Sequence, residues 1–311
     1  MHAILLFITA IIWGLAFVAQ SSGGDTVGPF TFNCIRSLLG SAVLVPVFLI
    51  FDRRKGSLED NDKNDRKTLI KAGVFCGILM FLASNIQQLG IYMGCDAGKA
   101  GFLTATYILM VPIFGLFLKK KCGINVWVAV AIAVVGLYML CMKGNAGGIG
   151  AADLMMLACA VCFTFHILTV DHYSPKVNGV KLSCIQFFVS GTLGIIPMIF
   201  LEAGTGRAAQ MAWLSRLMTM EAWIPILYAG IMSCGVAYTF QIIGQKGTDP
   251  AVASLIMSLE SVFAVIGGAL ILGERMTANE LIGCCFMFSA IILAQLKIKK
   301  RAVYDASGDA R

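Results

Sequence analysis

The chain has 311 residues, of which 58% are hydrophobic and only 13% charged, with a formal net charge of +7. Soluble domains carry about 25% charged residues, so this composition excludes an ordinary water-soluble globular protein. The positive charge does not point to nucleic acid, because it gathers in short runs between apolar blocks.

Those blocks are about 20 residues long, enough to cross ~30 Å of hydrocarbon. In chain order ten spans are expected: Ala3–Ser21, Pro29–Phe51, Leu69–Met93, Ala97–Leu118, Val126–Met142, Ala152–Val170, Leu182–Leu201, Trp223–Ile243, Ala251–Leu272 and Asn279–Leu296. The first reads as a membrane helix rather than a cleaved signal peptide. It lacks a basic leader, and Ser21-Ser22-Gly23-Gly24 is a poor cleavage site. The polar stretch Asp52–Lys67 is expected as a flexible cytoplasmic loop. Leu214–Met220 is amphipathic and suits the membrane surface. The tail from Ala302 to Arg311 is expected to be disordered.

Basic runs follow the second, fourth, sixth and tenth spans, at Arg53–Lys55, Lys119–Lys121, Lys176 with Lys181, and Lys297–Arg301. If ten helices alternate, all of these fall on one side. The positive-inside rule then puts them and both termini in the cytoplasm. Most of the eleven cysteines lie inside the spans, where they serve as small packing residues rather than a disulfide framework. That includes Cys159 and Cys162, which have the spacing of a redox or metal pair but sit mid-helix without nearby partners.

The chain echoes itself at a spacing of about 150 residues. Trp13 to Phe17 returns weakly as Phe163 to Ile167. Cys34-Ile35-Arg36 returns as Cys184-Ile185-Gln186, and Gln87-Gln88-Leu89-Gly90 as Gln241-Ile242-Ile243-Gly244. Residues 1–143 and 151–297 form the two copies, joined by the glycine-rich Lys143–Gly150, with 298–311 as a cytoplasmic tail. Five helices per copy reverse the second copy in the membrane. The expected fold is therefore all-α and integral to the membrane, with ten transmembrane helices as two inverted five-helix repeats. Such folds place their solute site near the midplane, between the halves.

Polar groups inside apolar spans are costly, so they are the candidates for function. Glu260 lies near the middle of the ninth span, where it could carry a proton, meet a substrate amine or lock helices together. Arg36, whose charge cannot be removed, could hold a carboxylate through two parallel hydrogen bonds or pair with a helix end. Its echo partner is the neutral Gln186. His166 could relay protons or simply pack. Gln87 and Gln241 hold matching places in the two halves. Tyr107 and Tyr238, with Trp13, could form an aromatic wall. Asn85, Gln88 and Gln186 complete the intramembrane candidates, while Asp96, Lys99, Lys246 and Asp249 stand at helix ends as anchors or gates.

Several motifs together resemble the drug/metabolite transporter superfamily, in its ten-helix EamA-type branch. In the first half these are Gln88-Leu89-Gly90, Ala97 to Thr104, and Val111-Pro112. In the second they are Ser258 to Phe263 and Gly273 to Thr277. Ser261 stands where the family often has proline after the membrane glutamate. The resemblance implies export of amino acids, related metabolites or toxic compounds, with uptake in some members. Glu260 and Glu274 match its signatures.

A GxxxxGK[ST] phosphate loop is absent, so no ATP-driven step within this chain is expected. An HExxH motif is also absent, which weighs against an integral membrane lipid-modifying enzyme. The function expected is that of a secondary transporter, not an enzyme, needing no cofactor and no metal. Its partners are a small-molecule substrate and the lipid bilayer, with protons as a candidate coupling ion and a homodimer left open. An uncoupled facilitator, exchanger or importer is the alternative.

Overall fold

The computed structural model describes residues 1–55, 63–95, 97–120, 122–141, 150–271 and 277–295. Asp96, most of the glycine linker, Glu274 and Arg275, the centre of the polar loop and the tail lie outside the described residues, as does the Lys99 side chain.

Every regular element among the described residues is a helix. The first half supplies α1 (His2–Val27), α2 (Pro29–Lys55), α3 (Lys63–Tyr92), α4 (Ala97–Ala105), α5 (Tyr107–Phe117) and α6 (Ile124–Cys141). The second supplies α7 (Ala151–Tyr173), α8 (Gly179–Pro197), α9 (Arg207–Leu217), α10 (Met220–Leu227), α11 (Tyr238–Gln245), α12 (Pro250–Met257), α13 (Glu260–Ile271) and α14 (Ala278–Gln295). Helical segments suit this setting because each backbone group finds its partner within its own segment, without water. Seven segments among the described residues are long and apolar enough to cross a membrane. Three shorter apolar helices, His2–Phe17, Ile124–Met139 and Ala278–Ala294, cover the other expected spans. Large apolar side chains face outward along the rods, among them Phe75, Phe188 and Leu270. That is the surface a bilayer solvates.

Polar residues punctuate the helices as elementary capping chemistry requires. Asn178 Oδ1 accepts from the Val180 and Lys181 amides at 3.0 and 3.2 Å at the start of α8. Asp249, expected as an interfacial or gate residue, caps α12 through the Ala251 amide at 2.9 Å, and Pro250 takes the first helical position. At α14, Thr277 and Glu280 exchange backbone and side-chain bonds in a capping box.

Four expected spans are not continuous α-helices. The seventh leaves α8 for a π-helical turn, Met198–Glu202. The eighth runs from α10 through a π-helical stretch, Tyr228–Ala237, into α11. The fourth breaks at Thr106 and the ninth at Ser258–Leu259. At both breaks the ladder tightens to three-residue steps: Leu109 N to Thr106 O at 3.0 Å, and Leu259 N to Ile256 O at 3.2 Å. Hydroxyls beside the breaks bond back onto the same carbonyl rows, Thr106 to Leu103 and Ser258 to Leu255. Ser261 in place of proline therefore does not straighten the ninth span.

Close packing carries the repeat into three dimensions. The Cys34 thiol on α2 donates to Gly191 O on α8 at 3.4 Å, and the Cys184 thiol on α8 donates to Ser41 O on α2 at 3.5 Å. The two contacts interchange under the 150-residue shift. Likewise Gly90 of α3 sits on Ala152 and Met156 of α7, while its echo Gly244 sits on His2 and Leu6 of α1. Without a hydrophobic drive between helices in lipid, such small-residue contacts supply the association through dispersion. Each half is thus laced into the other.

Candidate functional site

Both halves line a cavity that holds about 500 Å³ of space between the atoms with its open part included. Its wall draws on both halves: Trp13, Ala16, Phe17 and Gln20 from α1, Arg36 from α2, Gln87 from α3, Thr104 and Tyr107 from α4 and α5, and Phe163 and Ile167 from α7. Ser233 lies in the π-helical stretch, Tyr238 and Gln241 on α11, and Glu260 on α13.

The two broken helices meet here. Tyr107 opens α5, Glu260 opens α13, and the Tyr107 hydroxyl donates to Glu260 Oε1 at 3.1 Å. Each thus stands at the first residue of a half-helix, inside the protein rather than against lipid. Irregular backbone is tolerated at membrane depth where it is buried in protein or lines a cavity.

Arg36 is only 6% exposed. Its guanidinium carbon stands 5.3 Å from the centre of the Phe32 ring, within cation–π reach. Its Nε has no hydrogen-bond partner, and no carboxylate among the described residues forms an ion pair with it. Arg36 and Glu260 therefore present opposite charge types to one cavity without neutralising each other. The same cavity carries an aromatic wall. The Trp13 and Tyr238 rings lie 4.6 Å apart, and Phe187 supports Tyr238 from behind at 5.1 Å. Trp13 Nε1, Gln20 Oε1 and Gln241 Oε1 are also buried without partners. Orphaned polar atoms clustered on an apolar-walled cavity fit a solute that is part polar and part apolar. Gln87 is tied to Thr104 at 3.3 Å, which fixes its amide on the wall.

Six of the seven site residues expected from the sequence line this cavity: Arg36, Gln87, Tyr107, Tyr238, Gln241 and Glu260. His166 does not. It is fully buried behind the wall, with Nε2 3.1 Å from Gln186 Oε1 and its ring edge-on to Tyr238. Asn85 and Gln88 work between helices. Asn85 accepts from Asn33 at 3.3 Å, and Gln88 donates to the Gln20 carbonyl at 2.7 Å. Gln20 itself had a signal in the sequence, since residues 13, 16, 17 and 20 recur on one helical face. Thr104 and Ser233 had none, because small hydroxyls are common in membrane helices.

The EamA-like transporter family model matches the chain twice, over residues 1–142 and 150–296. The chain is also similar to an uncharacterized transporter from Archaeoglobus fulgidus, at 26% identity over 297 residues, 94% of this chain and 85% of the relative. A second uncharacterized transporter, from Clostridium kluyveri, is 26% identical over 144 residues, 46% of this chain and 43% of that one. A solved crystal structure with 17% identity superposes with a TM-score of 0.75, covering 94% of this chain and 96% of that one. At that identity the likeness speaks for the fold alone. With both halves matched over nearly their whole length, this multi-pass membrane protein belongs to the EamA-like transporter family.

Proposed function

We propose that the protein is a secondary transporter that exports a small amphipathic zwitterion, an amino acid or a relative of one, across a bacterial inner membrane. One observation carries this reading: Arg36 and Glu260 face the same cavity, unpaired with each other, and share it with an aromatic wall. Arg36 offers a bidentate contact to the solute carboxylate, Glu260 an anionic contact to its ammonium group, and the rings of Trp13 and Tyr238 a surface for its side chain. The reciprocal contacts at Cys34 and Cys184, and at Gly90 and Gly244, support two inverted five-helix halves, and the one-sided basic runs support cytoplasmic termini. Rocking of the halves exposes the cavity to each side in turn, and a difference in affinity between the two states lets a gradient drive net flux. Glu260 is the proposed proton-coupling group.

The test is flux of radiolabelled amino acids by purified protein in liposomes, with and without an imposed pH gradient. Wild-type flux is expected to respond to the gradient, and Glu260→Gln to abolish that response. Flux of no zwitterion at all would overturn the substrate class. Flux indifferent to the gradient would favour a second reading, an uncoupled facilitator or exchanger, which the internal bond from Tyr107 to Glu260 supports.

A further inference from the structure

The cavity uses the two halves unequally. In the register set by Trp13–Phe17 with Phe163–Ile167, Ala16 corresponds to His166. In the register set by the two Cys-Ile pairs, Arg36 corresponds to Gln186. Ala16 and Arg36 line the cavity, whereas their counterparts are fully buried behind it and bonded to each other. This bond leaves His166 Nδ1 and Gln186 Nε2 without partners, and Ser183 Oγ, one turn before Gln186, is orphaned as well. Three buried polar atoms without partners are unexplained by packing in this state, since apolar residues of similar size would pack there at lower cost.

We propose that the His166–Gln186 pair is a second polar wall of the transport site, turned onto the solute when the cavity faces the opposite side of the membrane. The proposal rests on the inverted halves described under Proposed function. If a two-fold axis relates the halves, the opposite-facing state is the one in which each half takes up the other's conformation. His166 and Gln186 then stand where Ala16 and Arg36 stand here, and their orphaned atoms meet the solute and its water. The exchange has a chemical consequence. An anionic group held by the Arg36 guanidinium in one state meets only an amide and an imidazole in the other. A carboxylate-bearing solute is therefore held more tightly in one state than in the other, so binding and release fall on different sides of the cycle.

Sided thiol labelling tests this. Ala16→Cys, His166→Cys and Gln186→Cys proteins are placed in right-side-out and inside-out membrane vesicles and exposed to a small, impermeant, charged methanethiosulfonate. Site-resolved mass spectrometry separates each new thiol from the native ones. Ala16→Cys is expected to label from one side, and the other two variants from the opposite side, each about tenfold or more faster than from its unfavoured side. If His166→Cys does not fold, Gln186→Cys reports on the same wall. The proposal is overturned if both stay unlabelled from either side while Ala16→Cys reacts, or if they share its sidedness. An Ala16→Cys thiol inert from both sides would instead remove the solute cavity, and with it the proposed transport site.

Discussion

Gly14 sits where α1 crosses α13, and replacing it with alanine is a sharp test of how the cavity is held. A methyl group there would stand 2.5 Å from Phe263 Cβ, 2.7 Å from the Glu260 carbonyl oxygen and 2.8 Å from Ala264 N. Ordinary contact begins near 3.4 Å, and two of the three atoms are backbone, so no rotamer change relieves the clash. The helices must part by something under 1 Å. Overpacking of that kind costs about 1–3 kcal/mol, against a gain of up to ~1 kcal/mol from the better helix propensity of alanine. Clash wins, and a net loss corresponds to a fall in Tm of about 2–8 °C. Gly101→Ala is the matched control, because its methyl group would meet only Ser261 Oγ at 3.7 Å, an ordinary contact. There propensity wins, and Tm holds or rises slightly. Thermal unfolding of both purified variants in detergent, followed with a thiol-reactive dye, measures the pair. Gly14→Ala with a Tm at or above wild type would refute the close crossing, and with it the packing of α1 on α13 beside the cavity.

Glu202 accepts the Phe30 and Thr31 amides at 2.8 and 2.6 Å, and so joins the second half to the start of α2. Glu202→Ala strips those amides and is expected to cost about 1–3 kcal/mol, read as a lowered Tm. Arg36→Gln installs the residue of its own echo position. It should reduce flux of carboxylate-bearing solutes in liposomes at least about tenfold, with Arg36→Lys recovering part of it. Equal flux for Arg36→Gln and wild type would rule out the carboxylate contact. Tyr107→Phe keeps the ring and removes the bond to Glu260, so stability should change by less than about 1.5 kcal/mol while flux and its response to a pH gradient alter. A Tyr107→Phe protein indistinguishable from wild type in transport would leave that bond a structural one.

The helical membrane class, the repeat of the two halves and half of the cavity wall were legible in the chain itself. An apolar block long enough to span hydrocarbon has few other fates. A polar group inside such a block is expensive enough to mark itself, and Arg36, Gln87, Gln241 and Glu260 are conspicuous for that reason. The echo at about 150 residues returns in the packing, since Cys34 and Cys184 reach across α2 and α8 in matching ways. Three matters waited for the tertiary structure. Local hydropathy registers depth but not azimuth, so His166 and Gln186 looked equivalent to the cavity residues although they turn away from it. Helix breaks at Thr106 and Ser258–Leu259 depend on hydroxyls bonding back to nearby carbonyls, and serine and threonine are too common to announce them. Lastly, only packing decided that Arg36 is left without a carboxylate while Glu260 takes the hydroxyl of Tyr107. Pairing is a matter of ångströms between helices far apart in the chain, and no pattern along one dimension encodes it.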